Sequence, residues 1–501
     1  MIITDTKAAM FRSAENGSQR PENSDTIKTN STSSNDKPKN IAIVGGGLSG
    51  MVLAYKYAKD GNTVTVFEAA EREGGLATWS DIASTEWDSF YHVILPSDRN
   101  LIGLIRELGL EDDLIWQRTY TGFFVNDKMY SISSNLEFLK FPLLGLWSKA
   151  RLGWTMFYGS RINDWKRLES ITCKDWLTRV SGKDTYEKMW KPLLLAKLGK
   201  SHERTSAVFI WSYIKRMFSA RDKSASSEKL GHVSGGYKQI FSTLRQHVEN
   251  NGGEIRLSTQ VEKIEAIDSA NSDSTNDDQQ LRLTSRSISN SSNSSSDMFD
   301  EIVCTSPTPI ARKIIDDDLL DYKPARIDTA DASKTAGTQE IEYLGVVCGV
   351  LVTHKPLSNF YVINIADQSI HFTGAIGMSN VVPAQYTDNL HLTYLPRYLL
   401  STDEEMQQSD EYFQEHFYKG LTKMFPEFEP ADAIALEIKR AQRVQPLQVL
   451  GYSSMVPSIK TKHPNLYVLN TSQFVNSTLN NNEVVGSVSQ FYSKYSNVHT
   501  G

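Results

Sequence analysis

The chain has 501 residues, 40% of them hydrophobic and 22% charged, with a formal net charge of −6. That length fits two domains of ordinary soluble composition, and the absence of a basic excess excludes a nucleic-acid binder. Its three scattered cysteines, Cys173, Cys304 and Cys348, exclude a disulfide framework, a CxxC redox pair and a thiolate zinc site, so no metal is expected and a reducing compartment is.

Met1 to Asn40 is rich in Ser, Asn, Thr, Lys and Glu and has no apolar h-region, so a flexible tail without a secretory signal is expected. No uncharged apolar run reaches about 18 residues, which argues against a membrane-spanning helix and for a cytoplasmic protein. Regular structure is expected from Ile41. Ile41-Ala-Ile-Val44 is a β-branched run, Gly45-Gly46-Gly47-Leu48-Ser49-Gly50 a turn, and Leu48 to Asp60 a helix ended by Gly61. Asn62 to Glu68 returns as a strand, which completes a right-handed βαβ unit and an α/β start.

Asn100 to Leu110 has helical spacing, and Gly122 to Tyr130 reads as a hairpin turning on Asn126-Asp127. Ser170 to Ser219 is mainly helical. A second block, Gly231 to Tyr237, leads into a helix over Lys238–Asn250 and two short strands over Glu254–Ile267. Asp268 to Asp297 is low-complexity, read as solvated hairpin loops around one strand at Gln280–Thr284, with a further strand over Asp300–Thr305. Ile341 to Leu357 and Ile370 to Leu400 suit strands, Ser401 to Phe425 a helix. Asn465 to Asn470 is a last strand, before a closing helix from Glu483 to about Tyr495.

Gly45, Gly47 and Gly50 form GxGxxG between a strand and a helix, the context in which glycines let backbone approach a pyrophosphate and the helix N-terminus faces it through Leu48 and Ser49. Glu68, 18 residues past Gly50, stands where a carboxylate takes a ribose, with Ala69 beside it.

Glu68 to Gly75 reads ExxxRxGG, and here the sequence resembles the flavin amine oxidase, protoporphyrinogen oxidase and phytoene desaturase superfamily. That resemblance implies a Rossmann-like, glutathione-reductase-type FAD-binding domain with an interleaved α+β substrate domain. It makes Arg72, Gly74, Gly75 and Leu76 FAD contacts. Amine oxidases usually carry Arg where this chain has Leu76, which sets it nearer the desaturase and protoporphyrinogen-oxidase-like branch. Phe90-Tyr91-His92, Gly235-Gly236, Val261 (whose backbone would meet the adenine) and the stretch Leu466 to Val485 extend the likeness over most of Ile41 to Gln490. In the closing motif Asn480-Asn481-Asn482 replaces Gly-Thr-Asn, so Asn482 is the best match at the flavin's pyrimidine edge, with an ordinary helix N-cap as the plainer role. No Cys or His lies between Leu466 and Gln490, so the FAD is expected to be non-covalent. The implied domains are a tail over 1–39; an FAD-binding part over 40–95, 230–310 and 460–496; and a substrate part over 96–229 and 311–459.

The catalytic candidates are His92, Lys197 and Tyr452. His92 has a suitable unperturbed pKa, although a histidine satisfied by a backbone carbonyl is the expected outcome. Lys197 reads first as a solvated helix residue. Phe138 to Ile162 mixes aromatics with Lys140, Lys149, Arg151 and Arg161. It suits either a peripheral contact at the inner membrane face or a buried helical pair lining the substrate cavity. The second is the expectation, since Pro142 and Gly145 interrupt any long amphipathic helix.

The leading function is hydride removal from a small, lipophilic molecule, with electrons passing to oxygen or a quinone. No second GxGxxG unit or CxxC pair supports the disulfide reductase branch. Two alternatives stand beside it: a non-redox sugar-nucleotide mutase, which needs an arginine pair for a substrate diphosphate, and a non-catalytic FAD-stabilised assembly factor.

Overall fold

A computed structural model describes residues 37–220, 229–267, 280–289, 294–320, 325–326 and 338–496. Residues 1–36 of the expected tail and part of the low-complexity stretch lie outside the described residues. β1 (Asn40–Val44) is followed by α1 (Leu48–Lys59) and β2 (Thr63–Phe67). They sit in a five-stranded parallel sheet ordered Leu466–Val468, Glu301–Cys304, β1, β2, Glu254–Arg256. Ile41, Ala42 and Ile43 are wholly buried, as a parallel strand covered on both faces requires. α1 is buried nearly all round, because the helices Gly236–Asn250 and Asn481–Tyr495 pack against it.

A second sheet of seven strands is ordered Ala433–Pro446, Tyr343–Thr353, His391–Leu400, Gly374–Gly377, Val362–Ile365, Thr121–Val125, Lys128–Ser131. Its pairs are antiparallel except Val362–Ile365 with Thr121–Val125. The hairpin at its edge turns on Asn126 and Asp127, both at positive φ (53° and 56°), as a two-residue turn matched to strand twist demands. α2 (Arg99–Glu107), α3 (Asn135–Lys140) and α4 (Leu146–Arg161) precede a helical layer that includes Cys173–Ser181, Lys191–Leu198 and Ala207–Ala220. Trp176 and Trp211 fill the middle of that layer.

Three expectations change. Ser294–Phe299 is a strand, not a solvated loop: it completes an antiparallel meander with Thr259–Ala266 and Leu281–Ser287, and its serines are tolerated on a half-exposed edge. The closing helix starts at Asn481, two residues early. Asn40, assigned to the tail, is the first residue of β1, whereas Pro142 and Gly145 interrupt the Phe138–Ile162 segment as expected, between α3 and a 16-residue α4 that Gly145 caps.

Candidate functional site

Two glycine loops meet back to back. Gly45, at φ +107°, donates its N–H to the Phe67 carbonyl at 2.8 Å, and a Cβ there would stand 2.6 Å from Thr305 Oγ1. A Cβ on Gly50 would lie inside the van der Waals shell of the Gly45 carbonyl oxygen, so only glycine closes this turn. Gly47 is the N-cap of α1, in extended conformation, with no side chain capping the helix and no acid in its first turn. The helix end, with its free N–H groups and positive dipole, is left facing the cavity that Gly45, Gly47, Leu48 and Ser49 line.

The second loop lies on the first. Gly74 (φ +124°) donates to Gly46 O at 2.9 Å, and Gly47 and Gly74 bridge like parallel strands. A Cβ on Gly75 would press on Gly47 Cα at 3.2 Å. Glu68 lines the cavity, one oxygen accepting the Gly46 N–H at 2.6 Å and the other the Ala70 N–H at 2.8 Å; its neighbour Ala69 lines it too. Leu76 and Val261 are also in the wall, Val261 at a β-bulge of Thr259–Ala266.

Arg72 is not. Its exposed guanidinium donates to the Trp79 carbonyl at 2.9 Å and braces the loop from outside. Gly50 likewise acts beneath the wall and not in it. Buried Glu73, which sequence reading passed over, pairs with Arg245 and ties the loop to helix Gly236–Asn250.

The cavity, about 1070 Å³, runs from these loops to the seven-stranded sheet. That exceeds the upper range of pockets for one drug-sized ligand, about 1,000 Å³, and leaves room for a dinucleotide with a second molecule beside it. Closely apposed glycines, an uncapped helix N-terminus and a carboxylate at the end of β2 fit that dinucleotide.

At the sheet end, His92 lines the cavity with Nδ1 2.9 Å from the Phe90 carbonyl. Burial lowers its pKa to about 4, so it is neutral at neutral pH, and the expected backbone-satisfied histidine is what the structure holds. Lys197 corrects the expectation of a solvated residue. It lines the cavity, its Nζ stands 3.1 Å from the Tyr398 ring centroid, and burial lowers its pKa to about 7. Tyr398 in turn shares a 2.6 Å hydroxyl–hydroxyl hydrogen bond with Tyr91.

Tyr452 leaves the candidate set. It is 1% exposed, packs in the helical core and donates its hydroxyl to Ser472 O at 2.7 Å. Asn482 is also reassigned. Its Oδ1 accepts from the N–H groups of Asn100 (2.8 Å) and Leu101 (3.3 Å), capping the N-terminus of α2, while Asn480 caps its own helix and lines the cavity with Asn481. No residue of 138–162 lines the cavity, so the expected buried pair does not form there. Leu146, Trp147, Trp154, Phe157 and Tyr158 are instead exposed.

Two further features escaped sequence reading. Buried Asp88 accepts the Tyr237 N–H at 2.9 Å and through its carbonyl the Tyr394 hydroxyl at 2.5 Å, joining helix Gly236–Asn250 to the seven-stranded sheet. Burial raises its pKa to about 7. Arg443 lines the cavity from a bulge in Ala433–Pro446. Proximity to Gly235-Gly236 could not have flagged Asp88, and an arginine in a strand pattern carries no signal of its own.

A family model described as flavin-containing amine oxidoreductase matches residues 48–468. Curated relatives include a 15-cis-phytoene desaturase of Capsicum annuum, 23% identical over 256 residues (46% of this chain, 42% of that protein). Another is an L-amino-acid oxidase of Protobothrops flavoviridis, 24% identical over 253 residues and 48% of each chain. The chain thus spans less than half the length of these relatives. Among solved structures, an oxidoreductase from Methanosarcina mazei superposes with a TM-score of 0.64 at 17% identity, covering 91% of this chain and 100% of that one. A redesigned putrescine oxidase gives 0.65 at 14%, covering 91% and 98%. At these identities the superpositions establish the fold.

Proposed function

Because the chain belongs to the flavin-containing amine oxidoreductase family, we propose that it is an FAD-dependent oxidoreductase taking a hydride from a lipophilic small molecule. The observation that carries this reading is the doubled glycine wall, Gly47 bridged to Gly74, opening into one cavity with the seven-stranded sheet. FAD held there without a covalent bond would supply the hydride acceptor, with oxygen or a quinone as the final electron acceptor.

The chain's own residues bind, orient and move protons. The α1 N-terminus faces the diphosphate and Glu68 the ribose, with Gly74, Gly75, Leu76 and Val261 shaping the walls. The helix Asn481–Tyr495 brings its positive end to the cavity, where it favours negative charge. His92, neutral with Nδ1 at a backbone carbonyl, keeps Nε2 as an acceptor, and Lys197 exchanges a proton at Nζ near neutral pH. The five-stranded sheet is read as the core of the cofactor part and the seven-stranded sheet as that of the substrate part. One arginine, Arg443, lines the cavity among the described residues, whereas the mutase reading needs two.

We test this by adding FAD to the purified chain, photoreducing it without air and mixing it with oxygen or a quinone. A visible flavin spectrum and reoxidation are expected. Colourless protein after FAD addition would sink the reading.

α4 carries a second part of the proposal, a peripheral contact with the inner membrane face. The helix is largely inverted: beside Leu152 its inward face carries Ser148, Lys149, Thr155 and Gly159, with Ser148 bonded to Asp184 and Thr155 to Ser181. Leu146 (76%), Trp147 (75%) and Trp154 (56%) face out, with Arg161 exposed at the end and no acid on the helix. Tryptophan beside basic residues suits a bilayer interface. Among the described residues no helix is long and apolar enough to cross a membrane. The full chain is expected to sediment with anionic phospholipid vesicles and Trp147→Ser/Trp154→Ser to stay behind; equal sedimentation of both would remove the contact.

A further inference from the structure

The substrate wall of the cavity has a charge sign. Lys197 and Arg443 both line it half-buried, a third cavity cation, Lys313, being exposed on helix Thr308–Ile314, and among the described residues neither Lys197 nor Arg443 has a carboxylate within ion-pair distance. Among the described residues Glu68 is the one acid lining the cavity, and it stands at the glycine loops with both oxygens already accepting backbone N–H groups. The two cations lie on neighbouring parts of one framework. Lys197 sits over Tyr398, Tyr398 lies opposite Val346 in the sheet, and Val346 lies opposite Ala441, two residues from Arg443. The strands bearing Tyr398 and Arg443 are thus two spacings apart, about 10 Å. Around them the wall is apolar and aromatic, with Trp190, Leu193, Phe209 and Tyr213. An uncompensated guanidinium is costly in such a wall, and burial already draws Lys197 toward its neutral form, so a ligand anion would complete the first and hold the second protonated.

We propose that Lys197 and Arg443 form a receptor for an anionic head group, carboxylate or phosphate, on a substrate with an apolar body. This rests on the FAD-oxidoreductase reading. It also turns the cavity against amines, since an ammonium head would meet two like charges. Lys197 and Arg443 then set specificity: a guanidinium offers a planar fork to the anion, and the lysine, held over Tyr398, a single point charge.

The test uses the FAD-loaded full chain and follows the visible flavin spectrum as decanoate, decyl phosphate, decylamine or decanol is added. Decanoate or decyl phosphate should bind at least about tenfold more tightly than decylamine, and the stronger of the two identifies the head group. Arg443→Gln and Lys197→Met should each weaken anion binding by roughly tenfold to hundredfold, leaving decanol binding and flavin occupancy unchanged. Lys197→Arg should retain most of the affinity. Equal binding of decylamine and decanoate overturns the inference, as do variants that bind both anions like the parent. Failure of the flavin spectrum itself would instead strike the underlying reading, so the two failures are separable.

Discussion

The two walls of the cavity are built on different principles. One is backbone: glycines in conformations closed to other residues, a helix end and two loops bridged at Gly47 and Gly74. The other is side chains: His92, Lys197, Tyr398 and Arg443, brought from four separate segments onto or beside one sheet. A backbone wall depends on conformation more than on side-chain identity, and a side-chain wall can be rewritten residue by residue without disturbing it.

The contrast is broken most sharply at Gly50. Gly50→Ala sets a methyl against the Gly45 carbonyl, with an expected cost of more than about 4 kcal/mol in chemical unfolding and loss of bound flavin. Retained flavin and unchanged stability would mean the turn is not held as described. Asp88 tests the seam between the walls. Its folded-state pKa, near 7, is raised above the unfolded value, so the folded protein keeps a proton that the unfolded chain releases. Stability therefore falls as pH rises from about 4 to about 7, by up to roughly 4 kcal/mol, and the full cost persists above that window. Asp88→Asn, which still accepts the Tyr237 N–H, should flatten that slope in denaturant titrations at several pH values.

Smaller effects separate the roles within each wall. Glu68→Ala should weaken FAD by roughly 1.5–3 kcal/mol, measured by flavin release, with the fold intact; unchanged occupancy removes Glu68 from the site. His92→Ala should slow flavin reduction by substrate about tenfold to hundredfold while sparing the FAD spectrum, and an unaffected rate returns it to a structural role. Tyr452→Phe should cost only about 1 kcal/mol of stability and leave the flavin untouched, since its hydroxyl serves Ser472 in the core.

The same contrast explains what the sequence disclosed. GxGxxG, Glu68 and the second glycine pair were legible because conformational necessity fixes both residue type and spacing within about thirty positions. The Rossmann-like start was legible with them. Asn482 is the best match of three consecutive asparagines, and only packing against α2 shows that it turns away while Asn480 and Asn481 line the cavity. Lys197 and Arg443 were opaque in another way. Lys197 is named as a candidate but reads first as a solvated helix residue, and Arg443 draws no reading at all until the sheet and helices close over both. Tyr452 shows the reverse, an aromatic beside a glycine that looked poised for chemistry and is core.

The inverted helix α4 has one more consequence. Its neighbour Ala207–Ala220, packed against it at Gly159 and Ile214, ends near Met217, which is 53% exposed and lines the cavity. On the reading given above, the cavity rim and the lipid-facing surface are parts of one helix pair. Substrate would then be counted by its mole fraction in the leaflet and not by its molarity in solution. Adding inert lipid at constant total substrate should dilute the reaction, and turnover would report a two-dimensional concentration.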